Sequence, residues 1–324
     1  MSFGHPRISI IVAARPDQTE PSALASVRGL LKEVEGGEVL IVRGTQPSRQ
    51  RNVAAKAADG EVLYFLDDDS VPIANNLLRI QEAFEAETLA VLGGPNLCPD
   101  IAPLLQRVFA SVLGSWLAFG PSAARYLPKG GRRASSEKEL ILCNMAIRRG
   151  DFLSLGGFDE ALYPNEENAL LDAVASAGRG IVYDPDLIVY RHPRSTLREF
   201  VRMLYRYGRG RGEQVRLHPT WGSLLNFVPA CFTLYVTALF FIGFVPRAWW
   251  GVFLIPMGAY GLVLMGAFFG GLPSFGGRVG LLRVPLIPLA HIVYGLGLWK
   301  GLLIGARGKG DHSDEGAIRV ERLA

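Results

Sequence analysis

The chain has 324 residues, enough for one catalytic domain of about 200 residues and a further segment. Apolar residues make up 49% of it and the mean hydropathy is positive, which excludes an ordinary soluble domain from end to end. A net charge of only +4 is no signature of nucleic-acid binding, and three cysteines (Cys98, Cys143, Cys231) without a CxxC pair exclude a disulfide framework.

Charge is spread through residues 1 to about 220 and is scarce from about 222 to 305. At the N-terminus, Ile8–Ala14 is too short for a signal peptide and stops at Arg15-Pro16-Asp17, so the first part is expected to stay in the cytoplasm. The same run is β-branched and apolar, which predicts a buried strand. Helical spacing over Ala23–Val34 ends at Gly36-Gly37, and Glu38–Val42 reads as a second strand. After a helix over Asn52–Ala58, a third strand, Glu61–Leu66, runs into Asp67-Asp68-Asp69. A helix over Asn75–Glu87 and a strand over Leu89–Gly93 continue the alternation. Such alternation predicts an α/β fold around a mostly parallel, Rossmann-like sheet, with ligands at the carboxyl ends of the strands. Arg15, Arg43 and Asp67 each follow a strand end and should share one edge.

Arg125–Lys138 is rich in Gly, Ser and basic residues and reads as a loop. A strand over Leu140–Ile147, a turn at Gly156-Gly157-Phe158-Asp159, a helix over Asn168–Ser176 and an extended stretch over Ile181–Tyr190 follow. Thr196 with Glu199 forms a capping-box pattern. In the helix it opens, Leu197, Phe200, Val201 and Leu204 share one face, and Arg194, Arg198, Arg202 and Arg206 recur every four residues on another. This basic amphipathic helix, about 195–210, reads as lying on a membrane surface, or else as a surface helix of the soluble domain. Arginines crowd Arg191–Arg216, the cytoplasmic pattern beside a span.

Three apolar stretches come next, Leu224–Phe244, Trp249–Phe269 and Val284–Ile304, the last containing Pro285, Pro288 and His291. Arg278 and Arg283 place the second linker inside, in agreement with two full crossings. A third would put the tail outside, against Arg307 and Lys309, so charge leaves the tail's side open. The expected organisation is a catalytic domain over 1–220, a membrane region over 221–306 and a polar tail over 307–324 that is expected to be disordered. No tandem repeat is present.

Three consecutive carboxylates at a strand end repel one another, and a hard cation such as Mg²⁺ or Mn²⁺ would relieve this while leaving positions open for phosphate oxygens. The plain alternative is a solvated acidic turn. Around this run stand Ile8–Ala14, Arg51-Asn52, Gly60-Glu61-Val62, Phe65-Leu66-Asp67-Asp68-Asp69 and Gly156-Gly157-Phe158-Asp159-Glu160. In that order they resemble the family-2 glycosyltransferases over about residues 7–210. The resemblance implies a GT-A fold, a nucleotide-sugar donor and inverting transfer with a divalent cation. It puts Ala14, Arg15 and Asp17 at the nucleoside, Arg51 and Asn52 near base and ribose, and Asp67 and Asp68 on the donor. It gives Asp67, Asp69 and His192 to the metal, although His192 reads equally as a turn residue before Pro193. Gly156, Gly157, Phe158 and Asp159 fall on the acceptor side, where glycine lets backbone approach a sugar.

The acidic pair Glu166-Glu167 matches the family's Glu-Asp, with Glu167 in the Asp position three residues before Leu170. There the resemblance implies the general base, which takes the acceptor hydroxyl proton. Glu for Asp adds about 1.5 Å of reach, so the base is Glu166 or Glu167. Arg43 in Val42-Arg43-Gly44-Thr45 replaces an Asp that reads uracil in the family, and an arginine accepts no hydrogen bond, which argues against UDP. Arg206-Tyr207 matches the end of the family's acceptor-side Gln-x-x-Arg-Trp motif, with Met203 for Gln, which favours single transfer. The acceptor expected is a lipid-linked saccharide or polysaccharide unit at the cytoplasmic face of an inner membrane, with membrane lipids as partners and no nucleic acid. Two rivals share these residues: a polyprenyl-phosphate sugar synthase, which needs no strong base, and a non-catalytic membrane scaffold with a degenerate fold.

Overall fold

The computed structural model describes residues 5–304 and 318–323, apart from 19, 35, 87, 163–164, 218 and 220–225. In chain order its elements are β1 (Ile8–Ala14), α1 (Ala23–Leu30), β2 (Glu38–Arg43), α2 (Pro47–Ala57), β3 (Val62–Asp67), β4 (Val71–Pro72) and α3 (Asn76–Phe84). Then come β5 (Leu89–Gly93), β6 (Asn96–Leu97), α4 (Leu104–Leu113), α5 (Trp116–Phe119), β7 (Arg133–Ala134), β8 (Asn144–Arg148), α6 (Arg149–Ser154) and α7 (Glu166–Ser176). The last are β9 (Gly180–Tyr183), β10 (Val189–Tyr190), α8 (Leu197–Leu217), α9 (Val228–Leu239), α10 (Trp250–Leu303) and β11 (Arg319–Leu323).

The chain divides into two units. Residues 1–99, 124–192 and 311–324 form the sheet unit, and residues 100–123 and 193–310 form the helical unit. The helical unit thus takes in residues 193–220, which were expected in the catalytic domain, together with a segment from the middle of the chain.

In the sheet unit eight strands run in the order β11-β2-β1-β3-β8-β5-β9-β7. The pairs β2-β1, β1-β3 and β5-β9 are parallel, whereas β8 lies antiparallel between β3 and β5. The sheet keeps the parallel core that was expected, at β2-β1-β3, and carries antiparallel strands around it. Alternation assigns each side chain to a face. Ile8, Ile10, Val12, Val62, Tyr64 and Leu66 meet α1 and α3 residues such as Val27 and Ile80 on one side. Ile11, Leu63 and Phe65 meet α2, α6 and α7 through Ala54, Phe152 and Leu171 on the other. Covered on both faces, β1 and β3 have to be apolar nearly throughout. Each fully buried Ile, Leu or Phe stabilises the unit by about 1.5–3 kcal/mol. At the far end of the sheet Ser9 Oγ donates to Glu38 Oε1 at 2.5 Å and accepts from Gly60 N at 2.8 Å. A Cβ at Gly60 would fall 2.5 Å from that hydroxyl, hence the glycine before β3.

β11 was not expected. The polar tail ends in a strand that pairs antiparallel with the outer edge of β2, Arg319 opposite Arg43 and Glu321 opposite Ile41. Val320 packs on one face of the sheet and Leu323 on the other. The rest of the tail, 305–317, lies outside the described residues.

In the helical unit α8 opens on the expected capping box. Glu199 N donates to Thr196 Oγ1 at 3.2 Å and Thr196 N to Glu199 Oε2 at 3.3 Å. Its arginines 198, 202, 206 and 216 are exposed, as is Arg194 just ahead of it, while Phe200 is buried and stacks on Phe109 of α4 at 4.2 Å. Further along it buries Arg211, Glu213 and Gln214 together with glycines, of which Gly208 and Gly212 lie against the backbone of α10 at Tyr294 and Leu298. Gly297 and Gly301 of α10 in turn lie against Tyr205 and Arg209 of α8. Small residues four apart on both helices let the two backbones touch. Within the same unit His291 contacts the Leu117 carbonyl and the Tyr260 hydroxyl, each at 3.0 Å.

α10 is broken at Gly276, whose φ of 74° no helix holds, leaving two helices, Arg247–Gly271 and Phe275–Leu303, long and apolar enough to cross a membrane. Of the three spans expected, the first is helical only over Val228–Leu239, about 18 Å at 1.5 Å per residue and short of a hydrocarbon core of about 30 Å. It ends at Leu239, a short 3-10 turn over Ile242–Phe244 follows, and Val245 is extended ahead of Pro246. Residues 224–225 lie outside the described residues.

Candidate active site

The register of the parallel strands sets the edge. Ala14 lies opposite Arg43, and Ala13 opposite Asp67, so β1, β2 and β3 end side by side as expected. Gln50 of α2 latches two of these ends, its amide donating to the carbonyls of Ala14 and Val42. Arg15 and Asp17 are exposed on the turn after β1, closed by Gln18 N on the Arg15 carbonyl at 3.2 Å.

Five carboxylates stand here or close by, and four of them, Asp67, Asp69, Glu166 and Glu167, lie next to an arginine. Asp67 Oδ1 takes Arg51 Nη2 at 2.7 Å, and its Oδ2 takes Arg191 Nη1 at 2.8 Å. Arg191 Nε reaches Asp69 Oδ1 at 2.5 Å, so one guanidinium spans both aspartates. Asp68 is half-buried and its backbone carbonyl accepts from Ala23 N at 3.0 Å, tying the run to α1. The Asp69 carboxyl keeps 46% of its surface, yet is held above the usual carboxylate range by lost hydration and by Asp67 and Asp68, against the pull of Arg191.

Arg51, 4% exposed, carries the connection inward. Its Nη1 lies 3.3 Å from Glu166 Oε1, so a single side chain of α2 joins the end of β3 to the first turn of α7. Glu166 is 2% exposed and pushed up to about 7, chiefly by burial and then by Glu167, with Arg51 opposing. Glu167 is less enclosed, its side chain 13% exposed, with Arg125 Nη1 3.8 Å away. Arg125 is held in turn by the Lys138 carbonyl at 2.9 Å and Asn168 Oδ1 at 2.7 Å. Among the described residues Cys143 is buried with its thiol pushed up to about 12, chiefly by burial, so it stays protonated and supplies no thiolate nucleophile.

Arg51, expected near base and ribose, is given over to Asp67 and Glu166. Asn52 clamps a turn: its amide exchanges hydrogen bonds of 2.9 Å with the backbone N–H and carbonyl of Phe158 and donates to Glu160 at 3.0 Å. Gly156 and Gly157 have φ of 87° and 76°, and a Cβ on Gly157 would meet Asn52 at 2.6 Å. The ring of Phe158 is in the core with Phe65 and Phe152, centroids 5.2 and 5.0 Å apart, so its side chain is not available to an acceptor. Asp159 is exposed and accepts from Ala161 N at 2.9 Å. His192 is exposed beside Arg191; Arg206 is exposed and Tyr207 half-buried on α8 of the other unit.

Asp67 and Asp69 offer hard oxygen donors to one shared cation, at present a guanidinium, and this donor set fits Mg²⁺ or Mn²⁺. Among the described residues no three His, Cys, Asp or Glu side chains gather as a metal shell, so His192 is not grouped with the two aspartates. Two carboxylates leave the other positions to water and phosphate oxygens, the habit of Mg²⁺. Arg191 and Arg125 were not singled out as site residues. The crowding of arginine from residue 191 onward was the available signal for the first, and the basic loop 125–138 for the second.

The model for glycosyl transferase family 2 matches residues 17–119. Pre-mycofactocin glycosyltransferases from two strains of Mycobacterium tuberculosis are 25% identical over 177 residues, 53% of this chain. The chain spans 36% of the length of those curated relatives. Among solved structures, a mannosyltransferase from Pyrobaculum calidifontis, in complex with GDP-Man and Mn²⁺, superposes with a TM-score of 0.58 at 15% identity. The match covers 93% of this chain and 88% of the other, and it shows a shared GT-A fold.

Proposed function

We propose that the chain, which shares the GT-A fold and matches the family 2 glycosyl transferase model over residues 17–119, transfers a sugar, with inversion, from a nucleoside-diphosphate sugar to an acceptor at a membrane surface. The observation that carries the reading is the pair Asp67 and Asp69 at the carboxyl end of β3, already spanned by one cationic group. A divalent cation bound there would neutralise charge on the departing diphosphate.

The chain's own residues supply the rest. The turn from Ala14 to Asp17 and Arg43 face the nucleoside end. Arg191, released from the aspartates, is within reach of the phosphates as an electrostatic stabiliser. Arg51 keeps Asp67 and Glu166 in fixed relation. Glu167 takes the acceptor proton as the acceptor oxygen bonds to the anomeric carbon and the bond to the diphosphate breaks. Glu167 is preferred to Glu166 because a base has to reach its proton, and Glu166 is enclosed. The Asn52-clamped turn at Gly156-Gly157 shapes the acceptor side. The similar fold that holds GDP-Man, and Arg43 where an acceptor for uracil would stand, make a guanosine-diphosphate sugar the first donor to test.

The acceptor is proposed to be a lipid-linked saccharide or polysaccharide unit at the cytoplasmic face of an inner membrane. In support, the chain leads from the sheet unit into two helices long and apolar enough to cross a bilayer. Val252, Ile255, Leu262, Val263, Met265 and Phe269 are each more than half exposed there, a surface that suits lipid. The exposed arginines of α8 suit anionic head groups.

The test is a panel of nucleotide sugars with Mn²⁺ and purified membranes, followed by substitution. Glu167→Gln is expected to lower kcat by about 10²–10⁴ with donor KM little changed. A wild-type protein that binds and turns over no donor sinks the reading. Activity that survives both Glu167→Gln and Glu166→Gln would redirect it to an acceptor that is already anionic, a lipid phosphate.

A further inference from the structure

The C-terminal strand brings an acidic side chain to the nucleoside end of the site. Glu321, opposite Ile41 on β11, reaches diagonally to Arg43, with Oε1 3.0 Å from Nε and Oε2 3.4 Å from Nη2. This is a two-point carboxylate–guanidinium contact, the arrangement that fixes a guanidinium plane as well as its position. Arg43 Nη1 donates to the carbonyl of Gln18, the residue that closes the turn after β1. The side chain of Arg43 is 14% exposed. A chain of contacts thus runs from β11 through Arg43 to the turn that carries Arg15 and Asp17. Anchorage of the strand is separate from this. Arg322 binds Glu38 at 3.1 Å and Asp59 and the Ala57 carbonyl as well, toward the other end of β2.

We propose that Glu321 is a positioning residue for the donor: it orients Arg43 and, through Arg43, holds the turn after β1 in the form that receives a nucleoside diphosphate. The proposal rests on the donor reading above. In it, a segment almost 280 residues beyond β2 tunes donor affinity without touching the reacting atoms.

Calorimetry of the full-length protein with GDP and with UDP, each with Mn²⁺, tests it, alongside steady-state kinetics on the matching sugar. Glu321→Ala should weaken nucleoside-diphosphate binding by about tenfold and raise donor KM alike, with kcat within about twofold. Glu321→Asp should recover part of the loss. In an Arg43→Ala background Glu321→Ala should add nothing, since the two act as one unit. Arg322→Ala separates positioning from loss of the strand, because it removes an anchor of β11 and leaves Glu321 in place; its Kd should stay within about twofold of wild type. Equal weakening by Arg322→Ala and Glu321→Ala would overturn the proposal in favour of simple strand attachment. Unchanged affinity in Glu321→Ala, with wild type binding normally, would overturn it alone. A wild-type protein that binds neither nucleotide would remove the donor reading and this inference together.

Discussion

In the sheet unit glycine marks places where the chain turns, as at Gly157, with φ 76° and the amide of Asn52 where a side chain would stand. The helical unit uses the same residue in straight helix. A Cβ on Gly208 would fall 2.1 Å from the Tyr294 carbonyl oxygen, and one on Gly301 2.1 Å from that of Arg209. Charge divides in a similar way. Arginine in the sheet unit is drawn inward onto carboxylates, with Arg51 nearly buried between Asp67 and Glu166, whereas four arginines of α8 face outward. The sheet unit hides apolar side chains and concentrates ionic ones at a single edge. The helical unit hides backbone behind glycine and leaves apolar side chains exposed. The first pattern suits chemistry in water and the second suits the lipid surrounding proposed above.

The contrast can be broken most severely at the ionic edge. Asp69→Ala is expected to reduce kcat/KM by about 10³ or more, with the thermal midpoint little changed, because the role proposed for it is toward donor and cation rather than toward packing. In the helical unit Gly301→Leu should cost about 3 kcal/mol and reduce the yield of folded, detergent-soluble protein, since the obstacle is backbone that cannot move aside. Gly258→Leu, with nothing within 4 Å of its Cβ position, is the matched control and should be nearly neutral.

A third effect concerns the enclosed acid. Glu166 in the folded protein sits at about 7, above the ordinary 4.5, so the folded state keeps its proton where the unfolded chain has lost it. Its contribution is full below about 4.5, falls as pH rises to about 7 and is flat beyond, with a span on the order of 3 kcal/mol. Glu166→Gln should flatten that slope when thermal midpoints are compared across the window. The smallest effect expected is at the entry to α8. Thr196→Ala removes the Glu199 N–H contact and should cost about 1 kcal/mol in the same assay.

Local features were legible in the sequence. β1 and β5 begin and end where their apolar runs do, the capping box at Thr196 forms, and the aspartates follow β3 onto the edge shared with Arg43. What escaped depends on distant partners. Arg-Val-Glu-Arg-Leu carries too little apolar content to announce a strand; it becomes one because the outer edge of β2 needs a partner and Val320 and Leu323 find opposite faces of a finished sheet. The pairing of Gly208 and Gly212 with Gly297 and Gly301 spans almost 90 residues, and either pair alone reads as weak helix. Arg191 looks like surface charge until the fold brings carboxylates to it, and Arg51, expected near base and ribose, gives no sign in the sequence of its bonds to Asp67 and Glu166.

In the proposed membrane-anchored reading, the return of the chain as β11 also limits the path of the helices through lipid. The sheet unit is left at His192 and rejoined at Arg319, where the strand is hydrogen-bonded into the same sheet. Each passage across a bilayer between those residues has to be answered by one in the opposite direction, so the number of crossings is even. Three full spans would strand Glu321 and Arg322 on the far side, away from Arg43 and Glu38. Two spans bring both ends home.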